Sequence, residues 1–270
     1  MAGRFLLGTQ GWNYPGWVGP FYPHGAKPPD YLDIYGRAFP TVEVDSTFYA
    51  IPAPKILSGW RDQVPPDFLF ALRVPQEITH EKRLVGVDQR LARFLNRVST
   101  LEEHLGPLLI QLSPDFRASE ASRETLHAFL TSLPSDFHWA VEFRQPQWLI
   151  PQTLDLLRRR NVALTLTDGR WIKRGIMLDL ALEPTADFAY VRWSAAQRKA
   201  HPAGAPVDRT QELSAWVAAL HTLSERVRAI HGYFGNQFQG HAPASARQMQ
   251  QMMGVDSVEP ALLREQAELF

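Results

Sequence analysis

Eight short apolar runs recur along this chain of 270 residues, and each run ends at or beside a polar or charged residue. Stretches with helical periodicity separate the runs, and buried strands that alternate with helices are typical of parallel α/β folds. Eight such units predict one (β/α)8 barrel, a fold of about 250 residues. We therefore expect an α/β, TIM-type barrel that fills residues 1–270 as a single domain. The runs are Phe5–Thr9, Thr41–Val44, Phe68–Val74, Leu108–Leu112, Trp139–Phe143, Val162–Thr167, Phe188–Arg192 and Ile230–Phe234.

The segments between the runs are predicted to be helical where apolar residues recur with the helical period. Ser119 is expected to cap the fourth helix, and Gly106 with Pro107 to end the third. The segment from Gly169 to Pro184 is less regular, and the tail Val255–Phe270 is expected to form a surface helix. The predicted helices are Asp30–Phe39, Lys55–Arg61, Asp88–Leu105, Ser119–Leu133, Gln152–Arg160, Thr210–Ala229 and Ala244–Met253, with a loop at Ala200–Pro206.

Composition narrows the function classes. The 28 Lys and Arg residues balance 28 Asp and Glu residues, which argues against general nucleic-acid or membrane-surface binding but leaves a local basic patch open. The absence of cysteine excludes disulfides, thiolate catalysis and cysteine-based zinc sites. No apolar run has the length of a signal peptide or a membrane span, so we expect a soluble cytoplasmic protein that binds a small molecule. The oligomeric state stays open.

The ends of the runs are the candidate functional positions, because barrel active sites lie at the C-terminal ends of the strands. Residues two apart share one face of a strand. Small or apolar residues that precede a polar residue on the same face predict a row that begins inside the barrel and emerges at its mouth. The rows are Glu43 with Asp45; Ala140, Glu142 and Arg144; Leu164, Leu166 and Asp168; and Tyr190 with Arg192.

These positions predict a nearly neutral pocket of carboxylates and arginines. Glu43 and Glu142 suit a division of acid and base roles, because a neighbouring arginine keeps one ionised and an apolar surround raises the pKa of the other. Arginines suit carboxylate or phosphate groups on a ligand. The catalytic candidates are Glu43, Glu142 and Asp168. The ligand-binding candidates are Gln10, Trp12, Tyr14, Asp45, Tyr49, Arg73, His80, Gln111, Arg144, Arg192 and Asn236.

The histidines give little reason to predict a metal centre. His80, just past the third run, is the best-placed histidine, and His231 inside the eighth run is interpreted as a barrel residue. We predict no metal and no cofactor, since metal sites usually have an excess of carboxylates and several histidines. A single divalent ion on Glu43, Glu142 and Asp168 stays open.

An aromatic loop follows the first run, and its role has two interpretations. Its rings are those of Trp12, Tyr14, Trp17, Phe21 and Tyr22. They either plug one end of the barrel or stack on a ligand.

Several segments resemble one family over nearly the whole chain. They are Gly8–Tyr14, Phe39–Tyr49, Phe68–Pro75 with Ile78–His80, and Val141–Arg144 with Trp148. These segments resemble the DUF72 (YecE-like) proteins, and the resemblance implies a TIM-type barrel in a family once described as related to sugar isomerases. It implies no particular activity.

This chain departs from the pattern of that family at three places. Many relatives read Tyr-x-Arg-x-His-Gly after the seventh strand, where this chain has Tyr190–Ser194. Relatives often carry Phe-Asn-Asn after the eighth strand, where this chain has Phe234–Asn236. Relatives also often have lysine at the position of Arg73.

Three functional hypotheses follow. The first is an enzyme that acts on a small polar or anionic substrate, such as a sugar or a sugar phosphate, in an isomerase- or hydrolase-like reaction. The second is a metal-dependent hydrolase of phosphodiesters, by analogy of fold. The third is a non-enzymatic barrel that binds a ligand or a protein partner through the aromatic loop.

Overall fold

Each of the eight predicted runs forms a strand in the computed structural model, which describes residues 2–194 and 207–267, with the side chains of 264–267 left aside. The strands pair in parallel and in chain order, and β8 returns to β1, so the sheet closes into a barrel as predicted. The strands are β1 (Arg4–Gln10), β2 (Thr41–Val44), β3 (Leu69–Arg73), β4 (Leu105–Gln111), β5 (Trp139–Glu142), β6 (Val162–Asp168), β7 (Phe188–Trp193) and β8 (Ala229–Phe234).

Helices connect the strands around the outside. Ser119 caps the fourth helix as predicted, since its side chain accepts a hydrogen bond from the Ser122 backbone N–H. The less regular segment after β6 contains a helix that the sequence did not reveal. The helices are α1 (Tyr31–Ala38), α2 (Pro54–Arg61), α3 (Asp88–Val98), α4 (Glu120–Ser132), α5 (Pro151–Arg159), α6 (Arg174–Ala181), α7 (Thr210–Ser224), α8 (Ala242–Met252) and α9 (Pro260–Ala267). The predicted loop at 200–206 lies outside the described residues.

The third helix ends earlier than predicted. It stops at Val98, and Gly106 and Pro107 belong to β4 instead. Proline is tolerated there because the register between β3 and β4 is irregular: Phe70 pairs with Leu105, whereas Leu72 pairs with Leu108. Glycine suits the position beside it, because a Cβ at Gly106 would lie 3.0 Å from the carbonyl oxygen of Phe70, a tight contact with backbone.

Two apolar layers fill the molecule. The larger lies between the strands and the helices, and a smaller one lies inside the barrel. Alanines on three strands face large rings on the last two strands in the inner layer, so that small and large side chains fill the interior together. The inner layer consists of Ala71, Leu109, Ala140, Ala163, Phe188, Tyr190 and Tyr233.

This inner layer shows which residues of each strand face inward. Residues two positions further along β5 and β7, Glu142 and Arg192, therefore share the inward face, as predicted. On β6 the inner residue is Ala163, so Leu164, Leu166 and Asp168 face the helices. The prediction of an inward row was wrong on this strand, because a strand buried on both faces is apolar on both and lacks an informative alternation.

Candidate functional site

A buried bridge of two glutamates and one arginine lies across the barrel below its mouth. The Arg192 guanidinium binds Glu43 through two hydrogen bonds, Nε to Oε2 and Nη2 to Oε1, each of 2.8 Å. Its third nitrogen, Nη1, donates to Glu142 Oε2 at 2.5 Å. All three side chains are buried, and such charges are tolerated in the interior only when paired in this way. Arg192 therefore joins the ends of β2, β5 and β7.

Burial and pairing act in opposite directions on the charges of this bridge. Burial raises the pKa of Glu43, although Arg192 opposes that shift. Burial also acts to raise the pKa of Glu142, but Arg192 and Arg144 outweigh it, so the pKa falls below its ordinary value. Glu142 is therefore an ionised carboxylate at neutral pH.

The bridge extends sideways through hydrogen bonds between neighbouring strand ends. Gln111 Nε2 donates to Glu142 Oε1 at 2.8 Å, and Gln111 Oε1 accepts from Arg73 Nη2 at 2.5 Å. Arg73 Nη1 then donates to Asp45 Oδ1 at 3.1 Å. The guanidinium of Arg73 also lies over the Phe48 ring, 4.1 Å from its centroid. These contacts fix the direction of each polar side chain at the mouth.

A cavity of about 560 Å³ opens above this network at the C-terminal ends of the strands, where barrel enzymes bind their substrates. The lining combines residues of the network with residues from the loops after the strands. The lining residues are Gln10, Asp45, Phe48, Tyr49, Arg73, Gln76, His80, Gln111, Glu142, Arg144, Thr167, Gly169, Arg170, Trp171, Arg192, Ser194 and Gln237. We call this cavity the mouth pocket.

Arginines outnumber carboxylates in the lining of the mouth pocket. Among the described residues the lining includes four arginines, residues 73, 144, 170 and 192, against the two carboxylates of Asp45 and Glu142. With Glu43, which lies beneath the pocket and pairs with Arg192, the set keeps a small excess of positive charge. Asp168 faces away from the pocket, and Arg170, which was not predicted, joins it. The arrangement suits an anionic group on a ligand.

Arg144 makes no hydrogen bond of ordinary length to the described residues. Its buried Nε lies 3.6 Å from Glu142 Oε1. The guanidinium lies over the ring of Trp171, 5.6 Å from its centroid. Arg144 is thus placed by charge and by its contact with this ring, and its Nη1 and Nη2 groups have donors available to a ligand in the pocket.

His80 contributes a neutral imidazole to the pocket. Burial lowers its pKa to about 4, and Arg144 and Arg73 act in the same direction. Its Nδ1 lies 2.9 Å from Thr79 Oγ1, and that hydroxyl lies 3.3 Å from the carbonyl oxygen of Pro75. The neutral ring therefore has one nitrogen that donates and one that accepts, and Nδ1 is engaged by the Thr79 hydroxyl.

Asp168 and Asn236 are the predicted residues whose side chains hold other segments of the chain and line neither the mouth pocket nor the cavity beside it. Asp168 accepts from Arg174 Nε at 2.6 Å and from Trp216 Nε1 at 2.9 Å, so it fastens α6 and α7 to the outside of β6. Asn236 Oδ1 accepts from Trp17 Nε1 at 3.0 Å and from the Ala242 backbone N–H at 3.1 Å. The two side chains hold helices and the aromatic loop, and neither lines the mouth pocket.

Glu43 also has a different position from the one expected of a catalytic acid. It is fully buried beneath the pocket and accepts from Tyr190 Oη at 2.7 Å in addition to Arg192.

Two other predicted residues lie at the pocket itself. Gln10 lines the pocket and donates from Nε2 to Ser194 Oγ at 3.3 Å. Tyr49 stands at the rim with 70% of its surface exposed.

The aromatic loop divides between its two interpretations. Trp17, Phe21 and Tyr22 are buried, and Tyr22 stacks on Tyr31 of α1 with ring centroids 4.3 Å apart. These three rings therefore pack into the core, as the first interpretation expects. Trp12 and Tyr14 are only half-buried and line a second cavity beside the mouth pocket. We call it the aromatic cleft. Its lining residues are Gly11, Trp12, Asn13, Tyr14, Pro28, Pro29, Leu32, Val44, Asp45, Ser46, Trp60 and Gln63.

Sequence reasoning missed several residues of the mouth pocket. Thr167 lines it one position before the predicted Asp168, and the error follows from the wrong inward face on β6. Arg170 and Trp171 follow on the next loop, where the position directly after a strand was the available signal. Phe48 was passed over because an apolar residue in a loop gives no chemical signal, although it supports both Arg73 and His80.

The described carboxylates and histidines form no cluster suited to a metal ion. Within residues 2–194 and 207–263, no three His, Asp or Glu side chains converge as ligands. Arg192 occupies Glu43 and Glu142, and Asp168 points away from both, so the single-ion site left open by the sequence does not fit this arrangement. His231, at the opposite end of the barrel, is buried as predicted, and burial lowers its pKa to about 3.

Fold and pocket together define a parallel (β/α)8 barrel with a polar, cation-rich pocket at the C-terminal ends of its strands. The family model described as "Protein of unknown function DUF72" matches residues 6–268. The chain therefore belongs to the DUF72 family. None of the described helices has the length and apolarity needed to cross a membrane.

Individual relatives agree with this assignment. The UPF0759 protein YecE of Escherichia coli is 34% identical over 169 residues, which span 61% of this chain and 59% of that protein. The UPF0759 protein YunF of Bacillus subtilis is 24% identical over 93% of this chain and 95% of its own length. A DUF72 family protein from Thermotoga maritima superposes with a TM-score of 0.80 at 25% identity, covering 93% of this chain and 99% of its own.

Proposed function

We propose that this protein is an enzyme that binds a small anionic substrate, of the size of a sugar phosphate, in the mouth pocket. The observation that carries the proposal is the excess of arginines over carboxylates in the lining, together with the Nη1 and Nη2 groups of Arg144, which make no hydrogen bond to the described residues. Guanidinium groups bind phosphate and carboxylate oxygens through paired hydrogen bonds. Arg144 and Arg73 would hold the anionic group, and the neutral His80 would form a hydrogen bond with a substrate hydroxyl.

Glu142 is the residue proposed to move a proton. It lines the pocket as an ionised carboxylate, and Gln111 and Arg192 fix its two oxygens. A positioned carboxylate can take a proton from a substrate hydroxyl or from an attacking water molecule. Glu43 acts through Arg192 in this proposal, because it is buried below the pocket and keeps that guanidinium in place.

The other two hypotheses receive less support. A metal-dependent hydrolase needs a set of ligands, and the described carboxylates are directed toward arginines instead. A partner-binding barrel needs exposed rings in the aromatic loop, whereas Trp17, Phe21 and Tyr22 are buried. An anion-binding pocket with a fixed carboxylate favours the enzyme.

A first experiment tests the anionic substrate. Thermal unfolding is measured with inorganic phosphate, ribose 5-phosphate and unphosphorylated ribose. Binding at 100 times the dissociation constant adds about 2.7 kcal/mol of stability, so ribose 5-phosphate should raise the melting temperature and ribose should not. Equal behaviour of the two sugars would contradict the proposal.

A second experiment tests the role of Glu142. The protein is incubated with a mixture of phosphorylated sugars and nucleotides, and conversion is followed by ³¹P and ¹H NMR. Glu142→Gln should stop the conversion that the wild type performs and still bind the compound. Glu103→Gln, at an exposed position distant from the pocket, is the matched control and should keep full activity. An active Glu142→Gln variant would refute the assigned role.

A further inference from the structure

The aromatic cleft, of about 480 Å³, adjoins the mouth pocket along the ends of β1 and β2. Gln10 lines the mouth pocket and the next residue, Gly11, lines the cleft. Asp45 lines both cavities. Because the side chain of Asp45 borders both cavities, a small ligand that extends past this residue can occupy both of them.

The cleft has an aromatic wall made of two nearly perpendicular rings that are held in place from behind. Trp12 and Trp60 meet edge to face with ring centroids 5.1 Å apart and an interplanar angle of 87°. Trp60 stacks in turn on the buried Phe70, at 5.9 Å and an interplanar angle of 28°. Both tryptophans remain half-buried, so each ring is fixed in position and another planar ring can stack on one of them.

Unused hydrogen-bond acceptors accompany this wall. Asp45 accepts from Arg73 through Oδ1, which leaves Oδ2 without a partner among the described residues. Gln63 donates from Nε2 to the Gly59 carbonyl oxygen, and its Oε1 has no described partner. Acceptors beside an aromatic wall suit a heteroaromatic ring that carries N–H donors.

Charge determines which end of a ligand enters the cleft. Asp45 is the one charged residue in its described lining, and it repels a second anionic group. The mouth pocket beside it has the arginine excess described above. A ligand with one phosphate and one neutral ring therefore matches both cavities, whereas a ligand with two phosphates does not.

From this arrangement we infer that the aromatic cleft is a subsite for the base of a nucleotide, and that the substrate class is a nucleoside monophosphate. The phosphate binds in the mouth pocket and the ribose spans the region of Asp45. This inference rests on the proposed function, since the phosphate must bind there first.

Calorimetric titration of the wild type with adenosine 5′-monophosphate and with ribose 5-phosphate tests the inference. The nucleotide is expected to bind at least about tenfold more tightly, the size of effect that stacking one base on aromatic side chains provides. Gln63→Trp, at an exposed position of the cleft, fills the space with a large side chain and should reduce this advantage to about twofold or less. Gln89→Trp, at an exposed position outside both cavities, is the matched control.

The outcomes separate this inference from the proposal on which it rests. Equal affinity for the two ligands in the wild type overturns the cleft assignment and leaves the anion site intact. An advantage that persists in a folded Gln63→Trp variant also overturns it. Failure of ribose 5-phosphate and the nucleotide to bind at all overturns both. The wild-type comparison decides the matter even where the variant does not fold.

Discussion

The neighbouring strands β5 and β6 each end in a buried carboxylate, but the two carboxylates face opposite sides of the barrel wall. Glu142 ends β5, faces inward and pairs with Arg192 at 2.5 Å. Asp168 ends β6, faces outward and pairs with Arg174 at 2.6 Å. Both carboxylates are buried and both are bound by arginine. A buried acid at the end of a barrel strand therefore marks a site only when its face opens on the pocket.

Removal of Arg192 should have the largest effect on this comparison. Arg192→Met leaves Glu43 and Glu142 buried without their counter-charge, and breaking such a pair costs about 3–5 kcal/mol. Urea denaturation measures the loss in free energy of unfolding. The double variant Glu43→Gln with Arg192→Met should recover part of that loss, because it removes one stranded charge. A loss below about 1 kcal/mol in Arg192→Met would contradict the central role of the bridge.

Loss of Arg144 should weaken ligand binding without a comparable effect on folding. Arg144→Met removes donors that the fold leaves unused, and hydrogen bonds to charged groups contribute about 1.5–3 kcal/mol. The affinity for ribose 5-phosphate should fall roughly 10- to 150-fold in calorimetry. Arg90→Met, which removes a surface ion pair with Glu77, is the charge-matched control and should bind normally. Unchanged affinity in Arg144→Met would remove this residue from the anion site.

Neutralisation of Asp168 should show the reverse behaviour. Asp168→Asn weakens the contacts with Arg174 and Trp216, and we expect a loss of about 1–3 kcal/mol in the free energy of unfolding. The affinity for ribose 5-phosphate should stay within twofold of the wild type, because this side chain faces the helices. A large change in affinity at unchanged stability would contradict the assignment of Asp168 to the outer face, away from the ligand.

The smallest expected effect is the pH response of His80. Burial, Arg144 and Arg73 lower its pKa to about 4, below the value of about 6.5 in the unfolded chain. As the pH falls from 6.5 to 4, the unfolded chain takes up this proton and the folded chain does not, so the contribution of His80 to stability is present above pH 6.5 and is lost toward pH 4. NMR titration of the imidazole, assigned with His80→Asn, should give a midpoint near 4. A midpoint near 6.5 would contradict a buried, cation-flanked ring.

Much of the fold could be predicted because its signals are local. The eight runs matched the strands closely, and Ser119 revealed a helix start through a side chain that binds its own backbone. β4 was the exception, since Gly106 and Pro107 usually end elements and are accommodated here by the irregular pairing with β3. α6 was missed because its segment has weak periodicity between two loops.

The candidate site was predictable in part. Glu142 and Arg192 were placed on the inward face, because Ala140 and Tyr190, two positions before them, belong to the interior layer. Asn236 was misplaced because its partners, Trp17 and Ala242, come from two other segments of the chain. Whether a polar residue at a strand end meets solvent or a helix depends on partners that no local pattern specifies.

The pattern of residues along the chain is enough to predict a barrel of eight strands, a polar mouth and the family to which the chain belongs. These features depend on periodicity and on short segments, which are local. Three further features follow from the folded arrangement alone: Asp168 faces α6, the lining of the mouth pocket has an excess of arginine, and the aromatic cleft adjoins that pocket at Asp45. Closure of the barrel decides these points, because it sets which face of each strand turns inward and which distant side chains meet there.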